Sequence, residues 1–119
     1  MIIRFWRGWT TRADADRYEK LLREEVFPGI FARRVAGFEG IQLMRREVGE
    51  EVEFMTAMRF RSLDAVREFA GADYEAAYVP AAARALLARF EPRAGHYVLR
   101  ARHLAPDFAP DPIVARGEP

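Results

Sequence analysis

The side chains of this chain that chemistry would draw on are few. They are His96, the tyrosines Tyr74 and Tyr78, the arginines Arg7 and Arg59, and the aromatic residues Trp6, Trp9 and Phe69. His96 sits in an apolar run beside Tyr97. An imidazole with an ordinary pKa near ~6.5 suits proton transfer at neutral pH, and as a general base it would remove a substrate proton. Its plainer role is that of a hydrogen-bonded structural histidine. Tyr74 and Tyr78 are four apart and would share one face of a helical turn, either lining a pocket and hydrogen-bonding a ligand or simply packing. Arg7 and Arg59 fall in strand-like segments. An arginine buried on the inner face is costly unless paired, so that placement would imply an anionic enolate or carboxylate. The other placement implies a salt bridge at the sheet edge. Trp6 and Trp9, three apart, cannot share a strand face, so one would line a pocket and one a subunit seam, if neither is plain core. His103 and the Glu50, Glu51 and Glu53 cluster read as solvated, and Met44, Met55 and Met58 as apolar filler.

What the chain lacks narrows the chemistry. Its 119 residues contain no cysteine, so they hold no disulfide framework and no thiolate nucleophile. Serine occurs only at Ser62, a helix-cap position, which argues against a serine hydrolase. Two distant histidines make a zinc site improbable. No glycine-rich phosphate loop is present. A net charge of +1 is too balanced for a nucleic-acid binder. The arginine-for-lysine and alanine bias is one of overall composition. No segment is long and apolar enough for a signal peptide or a membrane span, so a soluble cytoplasmic protein is expected.

The elements that must position these residues follow from periodicity. Residues 2–9 read as a strand. Thr10, Thr11 and Asp14 precede a helix whose apolar stripe is Tyr18, Leu21, Leu22, Val26 and Ile30. Pro28 should kink or end that helix around Phe27. Residues 38–47 and 51–60 form a hairpin across Val48-Gly49-Glu50. Ser62 caps a second helix that Gly71 closes. Residues 73–78 read as a helical turn, Pro80 opens a helix to about Arg89, and 94–102 form a last strand. Residues 104–119, with four of the seven prolines, read as an arm outside a domain of 1–103.

The order predicts an α+β, ferredoxin-like β-α-β-β-α-β chain with a four-stranded antiparallel sheet. Both sheet faces are apolar: Ile3 and Phe5 oppose Ile2 and Trp6, Phe54, Met58 and Phe60 oppose Met55 and Ala57, and Tyr97 and Leu99 oppose Val98. Helices cover one face. A second copy, packed sheet to sheet as a homodimer, is the simplest cover for the other.

Across residues 1–101 the chain resembles the antibiotic-biosynthesis-monooxygenase-like (ABM) proteins of the dimeric α/β-barrel superfamily. The residues carrying the likeness are Ile3-Arg4-Phe5-Trp6-Arg7-Gly8, Glu24-Glu25-Val26-Phe27-Pro28-Gly29-Ile30, Gly37-Phe38-Glu39-Gly40, Glu53-Phe54, Phe69-Ala70-Gly71-Ala72-Asp73-Tyr74-Glu75, Val79-Pro80, Ala83-Arg84-Ala85-Leu86-Leu87 and His96-Tyr97. The resemblance implies a pocket between helices and sheet and a cofactor-independent monooxygenase, without metal or flavin. Its small phenolic or quinol substrate, once deprotonated, activates oxygen itself. His96 and Tyr78 would then be catalytic with Arg7 stabilising oxyanion charge, and Tyr74, Trp6, Trp9, Phe69 and Arg59 would bind substrate. The haem-degrading branch is disfavoured. Its asparagine, tryptophan and histidine ligand are replaced here by Arg7, Phe69 and Tyr78, and Ala82 stands where nearer relatives carry a glutamate. The alternative is a non-catalytic, ligand-binding or stress-related dimer using the same pocket.

Overall fold

The computed structural model describes residues 1–108. The β-rich opening, Ile2–Thr11, forms β1, and Thr11 ends it by capping the next helix, its hydroxyl accepting from the Asp14 amide. Helix α1 (Arg12–Leu21) runs without a break through a π-turn (Leu22–Val26) into α2 (Phe27–Ala32). The helix does not end near Phe27, and the irregularity expected there takes the form of the π-turn just before it. The ring and missing N–H of Pro28 are accommodated by the wider turn, in which the Phe27 amide donates to the Leu22 carbonyl. The buried stripe is Ala15, Tyr18, Leu22, Phe27 and Ile30. Strands β2 (Phe38–Val48) and β3 (Glu51–Phe60) make the expected hairpin. Ser62 caps α3 (Leu63–Ala70) by accepting from the Ala65 amide, and Gly71, at φ +91°, closes it.

The chain then departs from the periodicity reading in three places. Residues 73–78 form no helix. Ala76 instead bridges to Arg93, and the Ala77 amide donates to the Pro92 carbonyl. Helix α4 (Ala81–Leu86) stops short of Arg89, because Arg89–Phe90 pair with Gly8 and Trp9 as β4. The last strand is only β5 (Gly95–Val98), opposite Ile2–Phe5. Pro92, which cannot donate to a ladder, lies in the gap between β4 and β5.

The sheet order is β2-β3-β1-β4, with β5 also on β1, and every pairing is antiparallel. That is the ferredoxin-like arrangement, α+β, with the edge strand split in two. The registers sort the side chains. Ile2, Arg4, Trp6 and Gly8 stand opposite Phe60, Met58, Thr56 and Phe54 on the helix-covered face. Ile3, Phe5, Arg7 and Trp9 stand opposite Arg59, Ala57, Met55 and Glu53 on the other face. A row of rings, Phe31, Phe38, Phe60, Phe69 and Tyr78, runs through the helix–sheet layer with neighbouring centroids 5.2 to 5.7 Å apart. It ties the end of α2 to the segment before α4. Where the chain passes from α2 into β2, Gly37 adopts φ +83°, and a Cβ there would lie 2.9 Å from Ala65 Cβ. Only glycine meets both demands. Of the arm expected from Leu104, residues 104–108 are described. They form no strand and expose Leu104 and Phe108, and the rest of the arm lies outside the described residues. No helix among the described residues is long and apolar enough to cross a membrane.

Candidate functional site

Between the sheet and the long helix lies a cavity of about 50 Å³. Trp6 and Thr56 form its floor from the central strands. Tyr18, Leu22, Val26, Phe27 and Ile30 form its wall from α1, the π-turn and α2. Tyr78, Val79, Pro80 and Ala83 close it. The π-turn contributes Leu22 and Val26 to this wall. The Trp6 indole N–H donates to the Glu91 carbonyl at 2.7 Å, so the ring presents an apolar face to the cavity. Tyr18 is 1% exposed, and its ring stands edge-on to Phe54 at 4.9 Å. Burial raises its pKa, so the hydroxyl stays a neutral donor throughout the physiological range. Tyr78 lies over Phe69 at 5.3 Å and is the exposed member of the lining.

Beside this cavity is a cluster around Arg4 that includes three residues singled out from the sequence. Arg4 is 3% exposed. Its guanidinium donates to the backbone carbonyls of Tyr74 and Ala76, the latter at 2.9 Å, and lies 3.0 Å from His96 Nε2. It also stacks on Phe69 at 5.6 Å. Burial lowers the Arg4 pKa to about 10, which leaves it charged at neutral pH. The His96 ring meets the Tyr74 ring edge-on at 5.2 Å, and Arg67 stacks on Tyr74 from α3. Burial lowers the His96 pKa most, the Arg4 charge lowers it further, and Glu75 opposes both. A guanidinium has donors only, so neutral His96 accepts at Nε2 and carries its proton on Nδ1. Nδ1 is buried and has no hydrogen-bond partner among the described residues.

The structure therefore divides the sequence-derived residues into three places. Trp6 and Tyr78 line the cavity. Tyr74, Phe69 and His96 gather around Arg4, and His96 is not part of the cavity lining. Tyr74 and Tyr78 do not share a helical face, because no helix forms there. Arg7, Arg59 and Trp9 stand on the opposite face of the sheet, away from the cavity. Arg7 pairs with Glu91 at 2.8 Å, which raises its pKa, and Arg59 approaches Glu39 at 3.7 Å. Trp9 is capped by Arg89 at 3.9 Å. Glu53 is not a solvated hairpin residue; it is buried on this outer face, 3.2 Å from Arg46.

Arg4, Tyr18 and Thr56 are site residues that motif reasoning passed over. The alternation that puts Ile2 and Trp6 on one face puts Arg4 between them. A buried arginine there demands partners, but the partners come from a segment seventy residues away. Tyr18 was visible only as one member of an apolar helical stripe.

The class of protein that fold and site define is a ferredoxin-like domain with a small, aromatic-walled cavity between sheet and helix. No protein-family profile matches the chain, and no curated protein does. Among solved structures it is similar to Rv0793 from Mycobacterium tuberculosis, at 21% identity over 88% of this chain and 99% of that one, TM-score 0.49. It is also similar to SnoaB, a cofactor-independent oxygenase from Streptomyces nogalater, at 18% identity over 89% of this chain and 98% of that one, TM-score 0.45. A variant of SnoaB matches at 19% and TM-score 0.47.

Proposed function

We propose that the protein binds a small planar phenol or quinol in the helix–sheet cavity and oxygenates it without a cofactor. The observation that carries this reading is the lining itself: the faces of Trp6 and Tyr78 with the hydroxyls of Tyr18 and Thr56 nearby. Aromatic walls with a few convergent polar groups suit a flat ligand with one oxygen to orient. The neutral Tyr18 hydroxyl would donate to that oxygen and stabilise charge developing on it. A ring C–H of the deprotonated phenol becomes a carbonyl, giving a quinone, with one atom of O₂ entering the product and the other leaving as water. Both electron pairs come from the substrate, and the resemblance to the ABM-like proteins supports this chemistry. The cavity is small beside the ~300–1,000 Å³ usual for ligand sites, so entry requires the Tyr78–Pro80 closure to move.

A second reading, binding without chemistry, is favoured by one observation. His96, the candidate base, is turned to Arg4 and is absent from the lining. A thermal-shift panel of polycyclic phenols, quinols and haem separates the readings. A ligand at a hundredfold excess over its Kd stabilises by about 2.7 kcal/mol. A phenol-induced shift lost in Trp6→Ala, together with oxygen uptake, supports the oxygenase. A shift without oxygen uptake supports the second reading, and no shift with any planar phenol overturns both.

We also propose that two copies pack through the outer sheet face. Ile3, Phe5 and Met55 lie there only partly buried, and Met44, Tyr97 and Leu99 are exposed, Tyr97 by 62%. An exposed apolar patch of this kind marks an interface. Light scattering of the pure protein should give twice the 13.7 kDa chain mass; a monomer at micromolar concentration would refute the packing.

A further inference from the structure

The segment that closes the cavity has little secondary structure of its own. Between Gly71 and α4 it is held by the Ala76–Arg93 bridge, by bonds from Ala77 to Pro92 and from Ala94 to Glu75, and by Arg4. Arg4 is the one charged side chain reaching it from the central strand. It grips the carbonyls of Tyr74 and Ala76, two to four residues before Tyr78. The same guanidinium depends on His96 Nε2 as an acceptor at 3.0 Å.

We propose that Arg4 is a latch on the closure of the cavity and that protonation of His96 releases it. The reason is the donor count. Neutral His96 offers Nε2 as a lone pair to Arg4. Protonated His96 offers an N–H, so two donors and two positive charges face each other across 3.0 Å. One partner must withdraw. Arg4 is rooted in a strand paired on both sides, whereas His96 lies in a four-residue edge strand and the closing segment has no regular structure. The edge strand and the segment therefore yield, and with them Tyr78.

The charges around His96 set the direction. Arg4 faces it from β1 and opposes protonation, as does burial. Glu75, from the closing segment, favours protonation, but its carboxylate is engaged by Arg93 at 3.1 Å, which also holds Asp73. Tyr74 presents a ring edge, and Arg67 sits behind it on α3. The closed form holds His96 neutral, so proton uptake favours the open form. Closure is complete above the unperturbed histidine pKa of ~6.5 and is lost as pH falls below it. Its meaning for ligand entry rests on the aromatic-binding role proposed above, whereas the movement itself does not.

Amide hydrogen exchange of the whole chain tests this without a ligand. At about pH 7.5 and about pH 5, with rates corrected for intrinsic exchange, protection at the Ala76 and Ala77 amides should fall at least ~10-fold on acidification. In His96→Gln, whose amide oxygen still accepts from Arg4 but does not titrate, protection should be the same at both. In Arg4→Met it should be low at both. Should Arg4→Met fail to fold, the His96→Gln comparison decides alone. Equal acid loss in wild type and His96→Gln, or constant protection in wild type, overturns the latch. Failure of every phenol to bind would leave these results unchanged.

Discussion

Replacing Phe60 by alanine should lower the unfolding free energy by about 3–5 kcal/mol, a large part of the ~5–15 kcal/mol typical of a domain. Phe60 is fully buried. Its ring packs against Phe38 on β2 at 5.4 Å and against Phe69 on α3 at 5.7 Å. It is thus the middle link of the aromatic row that joins α2 to the segment under Tyr78. Truncation removes apolar contact area and leaves a cavity that the flanking β-strand backbones cannot collapse to fill. Urea unfolding monitored by circular dichroism measures the loss. A change below about 1 kcal/mol would mean that the layer is fluid and that the ring row does not carry the fold.

The second large effect is expected at Gly8. A Cβ there would lie 2.8 Å from Trp6 Cη2 and 2.9 Å from Leu87 Cδ2. Both are tips of side chains, so Gly8→Val displaces them while the backbone stays. The cost in stability is that of ordinary overpacking, about 1–3 kcal/mol. The cost to the site is greater, because the displaced group is the indole that floors the cavity. The affinity for any phenol that stabilises the wild type should fall more than ~10-fold, equivalent to about 1.4 kcal/mol. Isothermal calorimetry on the folded variant checks it. Undiminished affinity would place the ligand elsewhere than over Trp6.

Arg4 shows how far a strand pattern can be read. Alternation places it on the helix side with Ile2 and Trp6, and a charged group there is anomalous on its face. The anomaly is legible, but its resolution is not, because Tyr74 and Ala76 reach Arg4 only once the segment after α3 folds back. Tyr74 and Tyr78 show the opposite failure. Their spacing of four fits a helix, yet the Ala76–Arg93 and Ala77–Pro92 pairings claim the backbone, and tertiary bonding outweighs weak local propensity. Arg7 and Arg59 were legible as strand residues but not as to face. One residue of register decides that, and the β1–β3 pairing sets it.

What the sequence by itself determined is whatever depends on local physics. Period and caps specified β1, the start of the long helix, the hairpin and α3, with Thr11 and Ser62 as caps and Gly71 as the stop. The sum of these elements specified the ferredoxin-like order. Tertiary structure alone decided the length of the last strand, the absence of a helix at 73–78, and the company each candidate residue keeps. His96 faces a buried guanidinium, while Trp6 and Tyr78 meet across a cavity that Tyr18 also lines. These outcomes hinge on pairings between segments far apart in the chain, and their energies outweigh the local preferences from which a pattern is read.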